Sequence, residues 1–100
     1  MSAFLKQGDL YPKLTGDLNA DVTGATVTAK LRRYHDTTTM SKTCTIVDGP
    51  TGIVEYQWLA GETDVAGTYL VEFLVAFAGG IPQRFPQRSY RELIIKPKVG

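Results

Sequence analysis

The chain has a single histidine and a single cysteine, the two residue types most often found in catalytic and metal sites. His35 stands between Tyr34 and Asp36, and a histidine beside a carboxylate can act as a general base. Spacing assigns no nucleophile to it. One histidine and one cysteine also fall short of the ligand number of a zinc site. We therefore predict no catalytic residue, metal or cofactor.

A second candidate for chemistry is the pattern of Asp17, Asn19 and Asp21, which resembles the start of a calcium-binding EF-hand loop. Val22 stands where that loop needs glycine, and Thr28 stands where it needs a bidentate glutamate. Asp and Asn side chains also form turns by bonding to nearby backbone N–H groups. The pattern predicts a turn.

Cys44 lies in an apparent strand, in phase with Ile46, so we expect a small buried apolar side chain. A lone cysteine excludes an internal disulfide and suits folding in a reducing cytoplasm.

Residues 81–91, IPQRFPQRSYR, are the most unusual segment. Arginine and aromatic residues are enriched in protein interfaces, and stacking on nucleic acid uses the same residue types. Alternatively, the segment is an irregular edge strand whose prolines discourage aggregation. The protein-interface candidates are Arg84, Phe85, Arg88, Tyr90 and Arg91.

Charge is distributed unevenly along the chain. The net charge of +1 argues against a general nucleic-acid binder. Residues 1–80 carry six Lys and Arg against nine Asp and Glu, whereas residues 81–100 carry five Lys and Arg against one Glu. Such a basic end either steers docking, including head-to-tail contact between copies, or is a solvated edge.

The strongest structural signal is in residues 64–73, DVAGTYLVEF, where Asp64 and Gly67 precede Tyr69 at the start of an alternating strand. This pattern is typical of a tyrosine corner in an immunoglobulin-like sandwich, in which the tyrosine hydroxyl bonds to the backbone a few residues upstream. Val71 takes the place of the disulfide cysteine of antibody domains.

Alternation with a period of two residues predicts strands over 25–31, 43–47, 54–58, 69–77 and 93–95. A weaker strand over 10–18, interrupted by Pro12 and Gly16, suits a sheet edge. We expect Trp58 and Phe73 in the core, with a partner for the indole N–H of Trp58. The pattern predicts an all-β, immunoglobulin-like β-sandwich of about seven antiparallel strands, as one domain over residues 1–100.

The distribution of apolar residues along the chain predicts neither a membrane span nor a signal peptide. No apolar run approaches 18 residues, so we expect no membrane span. The first six residues lack a basic region that leads into a long apolar stretch, so we expect no signal peptide.

Five segments, taken in order, resemble one known family. Residues 4–12 (FLKQGDLYP), 22–27 (VTGATV), 51–56 (TGIVEY), 64–73 (DVAGTYLVEF) and 85–86 (FP) are similar to motifs of the N-terminal domain of bacteriophage baseplate upper proteins. The likeness covers nearly the whole chain. This chain ends directly after its last strand, whereas the longer baseplate proteins continue into a receptor-binding-protein holder.

The resemblance implies an immunoglobulin-like structural module of a tailed-phage virion, made in the host cytoplasm, with no catalysis. Its implied partners are other virion proteins and copies of itself in a symmetric assembly; no nucleic acid, membrane or small-molecule substrate is expected. The alternative is a module that binds bacterial surface glycans through exposed aromatic side chains. The candidates for that role are Tyr11, Tyr34, Tyr56 and Tyr90.

Overall fold

The computed structural model describes residues 2–77, 79–85 and 91–99, and for residues 2, 3 and 91 only the backbone. The described residues form strands and turns without a helix. The strands are β1 (Ser2–Lys6), β2 (Leu14–Asp17), β3 (Thr26–Arg33), β4 (Met40–Thr43), β5 (Thr45–Asp48), β6 (Ile53–Tyr56), β7 (Gly67–Ala76), β8 (Gln83–Phe85) and β9 (Arg91–Lys96).

These strands form two sheets. The larger has the order β1-β9-β7-β3-β4, with β8 also paired to β7, and the smaller has the order β2-β6-β5. The long strand β7 pairs with β3 on one side, and on the other with β9 along its first half and β8 along its second. The prediction of an all-β fold in two sheets is therefore confirmed.

The strand count and direction were predicted wrongly. The described residues hold nine strands rather than seven, and β1 runs parallel to β9. Residues 43–47 are not one strand, because the chain passes at Cys44 from β4 in the larger sheet to β5 in the smaller. The short edge strands β1 and β4 were not predicted, whereas β8 lies within the 81–91 segment, for which an irregular edge strand was one of the alternatives.

The buried side chains of both sheets form one apolar cluster. Alternate residues of β3 and β7 face it, which gives β7 the buried series Tyr69, Val71, Phe73 and Val75. Trp58 is 2% exposed and lies just beyond the end of β6 rather than within it. Burial of each large apolar side chain of this kind stabilises the folded state by a few kcal/mol.

Trp58 differs from expectation in one respect. Its indole Nε1 is buried and has no hydrogen-bond partner among the described residues. The surrounding core is apolar, and the ring instead meets Tyr56 edge-on, with centroids 5.5 Å apart. Aromatic edge-to-face packing of this kind adds about 0.5–1.5 kcal/mol.

Close approach of the sheets depends on Gly16. A Cβ atom on Gly16 of β2 would lie 2.7 Å from Cζ of Phe73 of β7. The glycine that the sequence suggested as a strand interruption is thus a position where a ring of the opposite sheet meets the backbone. β2 is an edge strand of its sheet, as predicted.

Candidate functional site

The tyrosine corner joins β6 to β7 and has the predicted hydrogen bond. The hydroxyl of Tyr69 donates to the carbonyl oxygen of Val65 at 2.8 Å. Burial raises the pKa of the Tyr69 hydroxyl, so this donor keeps its proton at neutral pH. Gly67 has a φ of +149°, and a Cβ atom there would lie 2.7 Å from Nε of Arg33.

The corner is also tied to the loop after β1. The buried Thr63 donates its hydroxyl to the carbonyl oxygen of Asp9 at 2.8 Å, and the side chain of Gln7 donates to the carbonyl oxygen of Asp64 at 2.9 Å. Asp64 itself is exposed. Tyr69 and Gly67 therefore have structural contacts at the corner, whereas Asp64 contributes its backbone carbonyl.

The outer face of the larger sheet carries a groove of about 460 Å³. Outward-facing side chains of β3, β7 and β8 and the loop between β3 and β4 surround it. The lining residues are Lys30, Arg32, Thr37, Thr39, Leu70, Glu72 and Arg84. The lining combines one half-buried leucine with three cations, one carboxylate and two hydroxyls, so the groove is mostly polar.

Polar contacts position the cations of this groove. Arg84 Nη1 lies 3.5 Å from Oε1 of Glu72, and the Arg84 side chain remains 55% exposed. Lys30 Nζ donates to Oγ of Ser41 on β4 at 2.8 Å. Arg84 is thus held by a neighbouring strand yet open to a partner.

The structure separates the other interface candidates. Phe85 packs, partly buried, against the core cluster, so it supports β8 while Arg84 faces outward. Arg88 and Tyr90 lie outside the described residues, and of Arg91 only the backbone at the start of β9 is described.

The four tyrosines proposed for glycan binding have different environments. Tyr11 is 68% exposed and lies beside Phe4 in a groove of about 260 Å³. Tyr34 is exposed, and its hydroxyl bonds to Oε2 of Glu92 at 3.1 Å, a contact that raises the pKa of Tyr34. Tyr56 is bound to Glu62. Tyr90 lies outside the described residues.

The predicted turns at Asp17 and Asp21 and the predicted burial of Cys44 are confirmed, although Cys44 lies between two strands rather than within one. Oδ1 of Asp17 accepts from the N–H of Asn19 at 3.1 Å, and Oδ1 of Asp21 accepts from the N–H of Thr23 at 2.9 Å, so both make turns. Hydrogen bonds from Thr23 lower the pKa of Asp21. Cys44 is buried, and burial raises the pKa of its thiol to about 11.

His35 does not belong to a cluster of metal-ligating side chains among the described residues. His35 is exposed in the loop between β3 and β4, with a φ of +69°. Among the described residues, no three His, Cys, Asp or Glu side chains come together as metal ligands would. In the same part of the chain, no helix has the length and hydropathy to cross a bilayer.

Sequence patterns did not single out the half-buried carboxylate of Glu62. Glu62 accepts from Nζ of Lys42 at 2.6 Å, from the hydroxyl of Tyr56 at 2.8 Å and from the N–H of Leu59 at 2.6 Å. It connects β4, β6 and the turn that follows β6. Its only sequence signal was a carboxylate in a polar turn, which is too common to single it out.

Comparison with protein-family models, with curated proteins and with solved structures finds no match to this chain.

Proposed function

We propose that this chain is a non-enzymatic structural component of a tailed-phage virion that acts through protein–protein contacts. Its place is the neck, tail or baseplate, or the surface of the head. The observation that carries the proposal is the ordered likeness of five segments to the baseplate upper protein N-terminal domain. The tyrosine-corner hydrogen bond from Tyr69 to Val65 supports it, because it occurs within the longest of these segments.

We also propose that the two sheets form an immunoglobulin-like sandwich. The shared core, the tyrosine corner and the central antiparallel pair of β3 and β7 support this class. The parallel pairing of β1 with β9 makes the larger sheet mixed.

Arg84 is the described residue best placed for docking, since its guanidinium is exposed at the rim of the groove on the larger sheet. Arginine at such a rim can form paired hydrogen bonds with a carboxylate of a partner. Partners of this module are other virion proteins and further copies of the chain.

The first test is mass spectrometry of gradient-purified phage particles from the source of this gene, with copy number measured against the major capsid protein. About six to eighteen copies would indicate a ring in the tail or neck, and hundreds would indicate a head decoration. Absence from the particles would refute the proposal.

A substitution test follows for the docking residues. Arg84→Ala combined with Arg88→Ala should reduce incorporation into particles while leaving the unfolding transition in place. Lys98→Ala, an exposed cation beyond β9, is the matched control. Unchanged incorporation of the double variant would contradict a docking role for these arginines.

A glycan-binding module is the second candidate, favoured by the exposed Tyr11 beside the half-exposed Phe4. Sugar rings stack on exposed aromatic faces of this kind. Binding to a glycan array or to whole bacterial cells, lost in Tyr11→Ala, would favour it over the virion role.

A further inference from the structure

The outward face of the larger sheet is basic. Its outward positions alternate with buried ones along β1, β3, β7 and β9, and the strand registers place them in adjacent rows, with Arg84 of β8 opposite Leu74 of β7. The described cations on this face are Lys6, Lys30, Arg32, Arg84 and Lys96, against the carboxylates of Glu72 and Glu92 on the strands and of Asp9 beside Lys6 and Lys96.

The outward face of the smaller sheet has the opposite sign. Asp17 and Asp48 flank Ile53 from the two neighbouring strands. Glu55 lies two residues further along β6, on the same side of the sheet. One cation, Lys13, lies 3.3 Å from Glu55. Carboxylates therefore outnumber cations on this face.

Both faces have apolar side chains among their charges. Leu70 and Leu74 are half-buried on the basic face, while Ile53 is half-buried and Val47 exposed on the acidic one. An apolar centre with a charged rim is the usual anatomy of a protein interface.

The two faces lie on opposite sides of one core, which restricts how copies can meet. Contact of either face with its own kind would bring like charges together, and such juxtaposition is disfavoured. Contact of the basic face with the acidic face of the next copy brings opposite charges together. Because the two surfaces differ, the contact is heterologous, and it leads to a ring if the rotation closes and to an open stack if it does not.

We propose that copies of this chain dock front to back, with the basic face of the larger sheet of one copy on the acidic face of the smaller sheet of the next. The inference rests on the proposed function, since it names the faces through which copies of a structural module meet.

Sedimentation of the purified chain tests the proposal in solution. Association should appear at concentrations up to about 1 mM, where a contact of about −4 kcal/mol is half-saturated. It should be strong at about 0.01 M ionic strength and weakened at high salt, because salt screens exposed charges. A wild-type chain that stays monomeric throughout this range at low salt overturns the proposal.

Charge reversal identifies the faces. One variant carries Arg32→Glu and Arg84→Glu on the basic face, and the other carries Asp48→Lys and Glu55→Lys on the acidic face. Each variant alone should associate at least about tenfold more weakly, a loss of about 1.4 kcal/mol. An equimolar mixture should associate again, because one variant then has two acidic faces and the other two basic faces.

The chain that carries all four substitutions should also self-associate, because its two faces have exchanged signs. Recovery in the mixture or in this chain shows that the substituted chains are folded. Lys98→Glu is the control. Like the basic-face variant it makes the net charge more negative, but Lys98 lies beyond the end of β9 and belongs to neither set of face residues. Failure of both recoveries, or an equal effect of Lys98→Glu, overturns the proposal.

The outcomes separate this inference from the proposed function. A chain that is found in purified particles but fails the charge-reversal test retains its virion role and loses front-to-back docking. A chain that passes the charge-reversal test but is absent from particles retains the docking faces and loses the virion role.

Discussion

Two tyrosine hydroxyls hold turns of this domain in place, and their acceptors differ. Tyr69 donates to a neutral backbone carbonyl, that of Val65, whereas Tyr56 donates to the carboxylate of Glu62. Burial and the bond to Glu62 raise the pKa of Tyr56 to about 12. Both hydroxyls therefore remain protonated donors across the physiological range.

Tyr69→Phe should lower the free energy of unfolding by about 0.5–1.5 kcal/mol, because one hydrogen bond is lost at a partly buried site. Urea denaturation measures the change. Tyr11→Phe is the matched control, since that hydroxyl is on an exposed side chain and its loss should stay within about 0.5 kcal/mol. Equal denaturation midpoints for Tyr69→Phe and the wild type would count against the corner bond.

Glu62 should make the domain sensitive to acid. Desolvation raises the pKa of its carboxyl, but hydrogen bonds from Lys42, Leu59 and Tyr56 outweigh this and lower the pKa below its ordinary 4.5. A lowered folded-state pKa gives stability that is present above the ordinary value and is lost as pH falls through the folded value.

Glu62→Gln should therefore reduce stability at neutral pH by about 1–3 kcal/mol and flatten its decline toward acid pH. Urea denaturation over a pH series measures both effects. Glu55→Gln, which breaks a more exposed pair, should cost about 1 kcal/mol or less. If the stability of Glu62→Gln falls toward acid pH as steeply as that of the wild type, other groups are responsible for the acid sensitivity.

At the scale of strands, the two sheets depend on a few positions where one backbone meets the other sheet. Gly16 admits the ring of Phe73, and Cys44 marks the passage between the sheets while its N–H still bonds to the carbonyl oxygen of Val27 at 2.8 Å. Turns complete this framework: the N–H of the buried Val22 bonds to the carbonyl oxygen of Gly49 at 2.8 Å.

Gly16→Ala should destabilise the domain by about 1–3 kcal/mol, because the new methyl group overlaps the Phe73 ring and forces the sheets or the ring to shift. Thermal or urea unfolding measures it. Gly80→Ala is the control, because its Cβ atom would lie 3.4 Å from the nearest atom, an ordinary contact. Comparable losses in both variants would contradict the close approach of β2 to β7.

For the whole molecule, the single shared core has a consequence for unfolding. Side chains from both sheets and Trp58 belong to one cluster. If either sheet unfolds, the buried face of the other is therefore exposed to water. Small domains of this kind usually unfold in one cooperative transition.

Trp58 fluorescence and far-UV circular dichroism should therefore give coincident urea transitions. The fluorescence reports the core and the dichroism reports the strands, so one transition is expected from both. The exposed double variant Arg32→Glu and Arg84→Glu should keep this coincidence. Separate midpoints for the two probes would show that the sheets unfold independently.

Local patterns in the chain were sufficient for much of this structure. Alternation identified β3 and β7 and their buried faces, because a strand with one face in a core repeats every two residues. The apolar residues 93–95 identified β9 without its buried face. The Asp64 to Tyr69 pattern predicted the corner bond, and Asp17 and Asp21 predicted turns, since these features form within a few residues. The all-β class follows from the same signals.

Contacts between residues that are distant in the chain became known only from the tertiary structure. The parallel pairing of β1 with β9, the change of sheet at Cys44 and the bonds of Glu62 to Lys42 and Tyr56 join parts of the chain that no local pattern relates. Sequence alone showed a basic end, residues 81–100, on an otherwise acidic domain. The basic and acidic faces arise when strand pairing gathers side chains from many positions onto one side of a sheet, because register and sheet order determine which charges become neighbours.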